Sequence, residues 1–171
     1  MFTPIQPMGI SGNAIARIGR QRMLVTAGNR SECNTMTASW GGVGFLWNRP
    51  VATIYVRPQR YTREFLDREG WFSLSFLPER YRAQLTLCGR ESGRDMDKIQ
   101  ACGFSVEYGQ NDTPYIAQAE LVLTCRSLYM EPLKPGSFLD DSLAPQYYPQ
   151  EDWSRIYIGE IVEALKGQAD G

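Results

Sequence analysis

Hydrophobic and polar positions alternate most regularly at 71–77, where Phe72, Leu74 and Phe76 share one face and Ser73 and Ser75 the other. That period of two predicts a half-buried β-strand. Upstream, an apolar run at 23–27 stops at the turn dipeptide Gly28-Asn29, and a second alternating run begins near Asn34. Together they predict a hairpin. In the second run Thr35, Thr37 and Ser39 fall on one side and Met36, Ala38 and Trp40 on the other, because successive strand side chains point to opposite faces. Gly41, Gly42 and Gly44 are expected to break that ladder, with Pro50 restarting the chain before a β-branched strand at 51–56.

Thr62 has the side chain of an N-cap for a helix over 62–69, with Glu64 in its first turn and Gly70 just past its end. Apolar spacing predicts two more short helices. The first, at 79–88, turns Tyr81, Leu85 and Cys88 to one side, and the second, at 95–102, points Met96 and Ile99 inward. Gly89 and Gly103 suit their C-terminal caps. Strand character returns at 104–108, 117–129 and 156–162, around an irregular proline-bearing stretch at 132–149. Few helices among strands of mixed length predict a mainly β fold. A closed or partly closed antiparallel barrel with helical insertions fits better than a doubly wound sheet.

The 171 residues, 43% hydrophobic, suit a single domain over 1–171, with 16 glycines and 10 prolines acting as turn punctuation. A formal charge of −1, from 18 basic and 19 acidic residues, offers no footprint for a nucleic acid or a membrane surface. The amino terminus has no basic-then-apolar leader and no run reaches membrane-spanning length, so a cytoplasmic location with reduced thiols is expected. Cys33, Cys88, Cys102 and Cys125 form no CxxC pair and histidine is absent, which removes the usual metal sites. The missing imidazole also excludes a histidine-based serine or cysteine hydrolase. Acid–base work then falls to carboxylate, lysine, tyrosine or water, unless a cofactor supplies the reactive atoms.

Two segments carry candidate chemistry. Arg57, Arg60 and Arg63 cluster at the amino end of the predicted 62–69 helix, where unpaired amides and the helix dipole favour an anion. An arginine there adds a charge-assisted, bidentate hydrogen bond to phosphate. Spacing alone leaves a second reading, a solvated basic turn that happens to precede a helix. In NTMTASWGG (34–42) a hydroxyl face beside Ala38 and two glycines lets a flat polar ligand approach the backbone, with Trp40 able to cover a ring. The competing reading is an amphipathic strand with Trp40 in the core.

GNRSECNTMTASWGG, RPQRYT, CGRESGRDMDK and RIYIGEIVEAL, in that order along the chain, resemble the flavin reductase-like, FMN-binding split-barrel family, particularly its flavoredoxin-like branch. The resemblance implies a split barrel and a homodimer with one FMN per subunit near the dimer interface. It implies electron transfer through that flavin from NAD(P)H or a redox-protein donor. Thr35, Met36, Thr37, Ala38, Ser39 and Trp40 match the isoalloxazine segment, and Arg57, Gln59, Arg60, Tyr61 and Thr62 match the turn that holds the ribityl phosphate. Ser92, Gly93 and Lys98 are further candidates that reach the flavin from a loop or a second subunit, or else form a capped, exposed helix start. Ile158-Gly159-Glu160 matches a recurring IGE, read as structural or dimer-related, and Glu160 there needs an arginine or an interface to offset burial. No residue is assigned a catalytic role. Related NADH:flavin reductases carry Gly-Asp-His where this chain has Asp152-Trp153-Ser154. Without that histidine, a flavoredoxin-type electron carrier lacking NAD(P)H activity of its own stands as the alternative to an NAD(P)H-dependent flavin reductase.

Overall fold

The computed structural model describes residues 1–167; the last four positions of the expected 1–171 domain lie outside the described residues. The strands are β1 (Phe2–Ile5), β2 (Met23–Gly28), β3 (Cys33–Ala38), β4 (Gly41–Leu46), β5 (Arg49–Val56), β6 (Trp71–Phe76), β7 (Val106–Tyr108), β8 (Pro114–Ile116), β9 (Leu121–Pro132) and β10 (Arg155–Gly167). Helices are short: α1 (Ala14–Ala16), α2 (Thr62–Glu69), α3 (Arg82–Arg90), α4 (Lys98–Ala101) and α5 (Leu143–Tyr147). One antiparallel sheet runs in the order β3-β2-β6-β9-β10-β5-β4, with β1 added on β10, and β7-β8 form a separate pair. The expected mainly β architecture with helical insertions is what the chain adopts. Among the described residues no ladder joins β3 to β4, so of the closed and partly closed forms the structure takes the second. Ser39 and Trp40 cross the open seam.

The glycines after Trp40 do not end strand structure as expected. Gly41 to Leu46 pair with β5 through a tight turn at Trp47-Asn48, both with positive φ, the geometry of a type I′ hairpin. Gly41 is needed where it stands: its φ is 157°, and a Cβ there would sit 2.5 Å from the Thr53 carbonyl oxygen.

The strand at 71–77 is buried on both faces rather than one. Phe72, Leu74 and Phe76 enter the main core, each contributing about 1.5–3 kcal/mol by burial. Ser73 and Ser75 are also fully buried, because β8 covers the other side. Ser73 donates to the Pro114 carbonyl at 2.6 Å, and the Ile116 amide donates to Ser75 Oγ at 3.2 Å, so neither hydroxyl is an unpaired buried group. A second core of Leu24, Leu85, Cys88, Tyr115, Ile116 and Val122 lies under this cover.

Helix boundaries shift in ways that matter for the site. Thr62 is the first residue of α2 rather than its cap, and its hydroxyl accepts from Asn34 Nδ2 at 2.8 Å. That bond ties the start of β3 to the amino end of α2. Gly70, in the left-handed region, stops the helix as expected. The expected 79–88 helix is a 3-10 turn followed by α3, which runs through Gly89 to Arg90, so Gly89 is not a cap. The expected 95–102 helix shrinks to α4, capped by the Asp97 carboxylate, which accepts from the Gln100 amide at 3.0 Å. Strand β9 begins and ends later than the expected 117–129, β10 is longer than expected, and the ladder between them shifts register twice. The irregular stretch after β9 contains α5.

Candidate functional site

A cavity of about 220 Å³ opens where the seam, the β5–α2 turn and the start of β10 meet. Its walls are Met36, Thr37, Ala38, Ser39, Trp40, Tyr55, Arg57, Arg60 and Ser154. The structure thus brings the NTMTASWGG and RPQRYT segments to one hollow. Thr35 is not part of it. That residue is fully buried, its hydroxyl 2.9 Å from Thr26 Oγ1 and donating to the Val25 carbonyl. Thr37 is also committed, donating to the Leu85 carbonyl of α3 at 2.5 Å. Of the expected hydroxyl face, Ser39 alone has no side-chain partner among the described residues. Trp40 is 42% exposed at the rim, which rules out the reading that places it in the core.

Arg57 and Arg60 leave the same turn toward different partners. Arg57 Nη1 meets Asp152 Oδ2 at 2.8 Å and Nη2 donates to the Tyr147 carbonyl at 2.5 Å. Its guanidinium also lies 5.0 Å from the Tyr148 ring centroid. Gln59 donates to the same Asp152 oxygen at 2.9 Å, and this bond, with the Arg57 charge, holds the Asp152 carboxyl below its ordinary range. Arg60 instead donates to the Gly89 carbonyl at 2.7 Å and the Cys88 carbonyl at 3.2 Å, at the carboxyl end of α3. Lys98 joins it there. This lysine is 3% exposed, so the alternative of an exposed helix start does not hold for it. Its Nζ donates to the carbonyls of Cys88 at 3.2 Å and Glu91 at 3.3 Å. Burial, aided by the Arg60 charge, pulls the Lys98 ammonium down to about 8. Burial likewise lowers the Arg60 guanidinium.

The other candidates surround this centre without lining the cavity. Tyr61 packs edge-on against Phe65 at 5.0 Å, under the Arg94 guanidinium. Ser92 Oγ accepts from the Arg94 amide. Gly93 presses on Asn34, since a Cβ on it would meet Asn34 Oδ1 at 2.1 Å. Arg63 pairs with Asp67 at 3.7 Å along α2. Glu160 lies 2.8 Å from Arg126 Nη2 and 3.2 Å from Arg49 Nη1, which supplies the arginine partners its position called for.

Sequence reasoning missed Tyr55 and Ser154. Ser154 is 1% exposed and accepts from the Tyr148 hydroxyl at 3.0 Å. The only signal for it was the departure from Gly-Asp-His, whose third position it occupies. Tyr55 sits on β5 between the core residues Ile54 and Val56, and alternation marks it only as facing away from them.

The family model for the flavin reductase like domain matches residues 15–170. The chain belongs to the flavin reductase-like family. Solved structures share the fold of this flavin reductase-like chain. An FMN-binding domain of a flavin reductases-like enzyme from Shewanella baltica aligns with a TM-score of 0.70 at 20% identity, over 97% of this chain and 77% of its own. Flavoredoxin from Methanosarcina acetivorans aligns with a TM-score of 0.67 at 26% identity, over 86% and 69%. An NADH:FAD oxidoreductase from Streptomyces globisporus aligns with a TM-score of 0.63 at 19% identity, over 86% and 75%. A comparison with curated protein sequences yields no match.

Proposed function

We propose that this chain binds FMN in the seam cavity and acts as a flavin-dependent oxidoreductase. One observation carries the reading: Arg60, part-buried on the cavity wall, and the buried Lys98 beside it have only backbone carbonyls as side-chain hydrogen-bond partners. Cations drawn out of water onto carbonyl dipoles are costly, and the phosphate of FMN is an anion of the right class to offset them. Met36, Ala38 and Trp40 would line the apolar body of the ring system, and Ser39 would meet its polar edge. When bound, the flavin supplies the redox chemistry. The chain's own residues bind it, orient it and limit water at the seam. Purified protein that is colourless and leaves FMN fluorescence unchanged on titration would sink the proposal.

The electron donor divides two versions of this reading. NAD(P)H is the donor in one, a redox protein in the other. The resemblance places Ser154, which accepts from the Tyr148 hydroxyl, at the position of the histidine of related reductases, and this favours a carrier without pyridine-nucleotide activity of its own. Stopped-flow mixing of FMN-loaded protein with NADH and NADPH separates them, since rapid flavin bleaching excludes the carrier.

We further read the protein as a single domain that works as a cytoplasmic homodimer. Phe45, Trp47, Tyr129 and Met130 are 62%, 53%, 45% and 51% exposed, and Trp47 packs toward Tyr129 at 6.5 Å. Large apolar groups grouped on a surface mark an interface. A separate apolar hollow of about 300 Å³, walled in part by Val43, Phe45, Phe76, Leu123 and Ile161, adjoins the same β4–β5 hairpin. The free thiols accord with a reducing compartment. Analytical ultracentrifugation that finds a monomer at micromolar concentration would remove the dimer.

A further inference from the structure

Cys88 and Cys102 meet with their sulfurs 3.7 Å apart. Cys88 stands in the last turn of α3, and Cys102 directly follows α4. One turn before Cys88, the Gln84 carbonyl accepts from the Cys102 thiol at 3.8 Å, so Cys102 lies along the Gln84–Cys88 face of α3. The two thiols differ in access: Cys88 is fully buried and Cys102 half-buried. We propose that they are an oxidisable pair, which hydrogen peroxide converts to a disulfide, and that closing this bond loosens the Arg60–Lys98 anion site.

Backbone groups connect the pair to that site. The Cys88 carbonyl accepts from both Arg60 and Lys98, each at 3.2 Å, and the Cys102 amide donates to the Lys98 carbonyl at 3.0 Å. A disulfide holds its sulfurs about 2.0 Å apart, so closure draws the ends of α3 and α4 together. That moves the Cys88 carbonyl, the acceptor the two cations share, and spoils the placement on which charge-assisted bonds to an anion depend. The effect on flavin rests on the FMN reading above. The oxidation does not.

The chemistry balances in two steps. Cys102, the more accessible thiol, attacks the O–O bond: its sulfur takes one hydroxyl to become a sulfenic acid, and the other oxygen leaves as water. Burial raises the Cys102 thiol, while the contact with Cys88 and the Lys98 charge act the other way. Burial pushes Cys88 up to about 12. The first nucleophile is therefore Cys102. Cys88 then attacks the sulfenic sulfur, the S–S bond forms, and the hydroxyl leaves as a second water. Two electrons pass from the sulfurs to the peroxide, and both thiol protons end in water.

Treating the reduced, desalted full chain with hydrogen peroxide tests the proposal, read by thiol titration in urea, tryptic mapping and FMN fluorescence titration. The chain is expected to lose two of its four thiols and to yield the peptide bearing Cys88 linked to the peptide bearing Cys102. FMN binding is expected to weaken at least about fivefold, the low end for coupled sites, and to recover when dithiothreitol reduces the bond. Cys102→Ser and Cys88→Ala are each expected to match the reduced protein in FMN affinity and to keep that affinity through peroxide treatment. Absence of the Cys88–Cys102 link, unchanged FMN affinity once the link has formed, or an equal loss of affinity in both variants overturns the proposal. The link forming in a chain that takes up no flavin even when reduced supports the oxidisable pair and sinks the FMN reading. Flavin uptake without the link does the reverse.

Discussion

Arg57 and Arg60 are three residues apart in one turn, yet their surroundings differ in kind. Arg57 is half-exposed and already has an acid: Asp152 at 2.8 Å, itself backed by Gln59. Arg60 turns to a helix end where its partners are carbonyls and where a second cation, Lys98, feels its charge. A carbonyl dipole stabilises a cation less completely than a carboxylate does, so the inner pair has more to gain from an anion. The outer arginine has less. It braces the α5 segment against the turn, whereas the inner arginine and lysine are the pair we propose for the anion.

The sharpest way to break this contrast is Arg60→Ala, expected to weaken FMN binding by about 1.5–3 kcal/mol, the range for losing a hydrogen bond to a charged group. Fluorescence titration reads it, and unchanged affinity would move the phosphate away from α3.

Next in size is the pH dependence of the cofactor-free protein. The Lys98 ammonium is depressed from 10.5 to about 8, so between those values the unfolded chain binds more protons than the folded one. Stability should therefore rise with pH across that window, by about 1–2 kcal/mol from this group. Urea melts at pH 7.5 and 9.5 measure the rise. Lys98→Met should flatten it, and a bound anion should do the same by restoring the charged form.

The smallest effect is expected at Arg57→Ala, which should lower FMN affinity by less than about 1 kcal/mol because its charge is already paired. A loss as large as that for Arg60 would show that Asp152 releases Arg57 to the ligand, and would erase the distinction between the two. Asp152→Asn gives the converse check: freeing Arg57 should leave FMN affinity equal or higher in the same titration.

Much of the frame was legible because it depends on neighbours along the chain. The β2–β3 hairpin, α2 with its Gly70 stop and the strand at 71–77 all follow from periodicity and turn chemistry. β1 escaped notice because Phe2 to Ile5 become a strand only by pairing with residues 164–167 of β10. β4 was misread because its glycines look like breaks until Arg49–Val56 supplies the ladder. Ser73 and Ser75 looked solvent-facing until β8 covered them. In the candidate site the two segments expected to hold the flavin meet at one cavity, but Thr35 and Thr37 are spent on internal hydrogen bonds that no alternation pattern reveals.

From the sequence alone came the strand and helix periods, the absence of histidine and hence of imidazole chemistry, and the two segments on which a flavin role rests. The tertiary structure decided which charges meet. Asp152 reaches Arg57 from 95 positions away and the Cys88 carbonyl reaches Arg60 from 28. Local pattern records only what lies within a few residues, whereas charge compensation depends on distance in space. Two arginines identical in the sequence thereby become a structural brace and a candidate anion site.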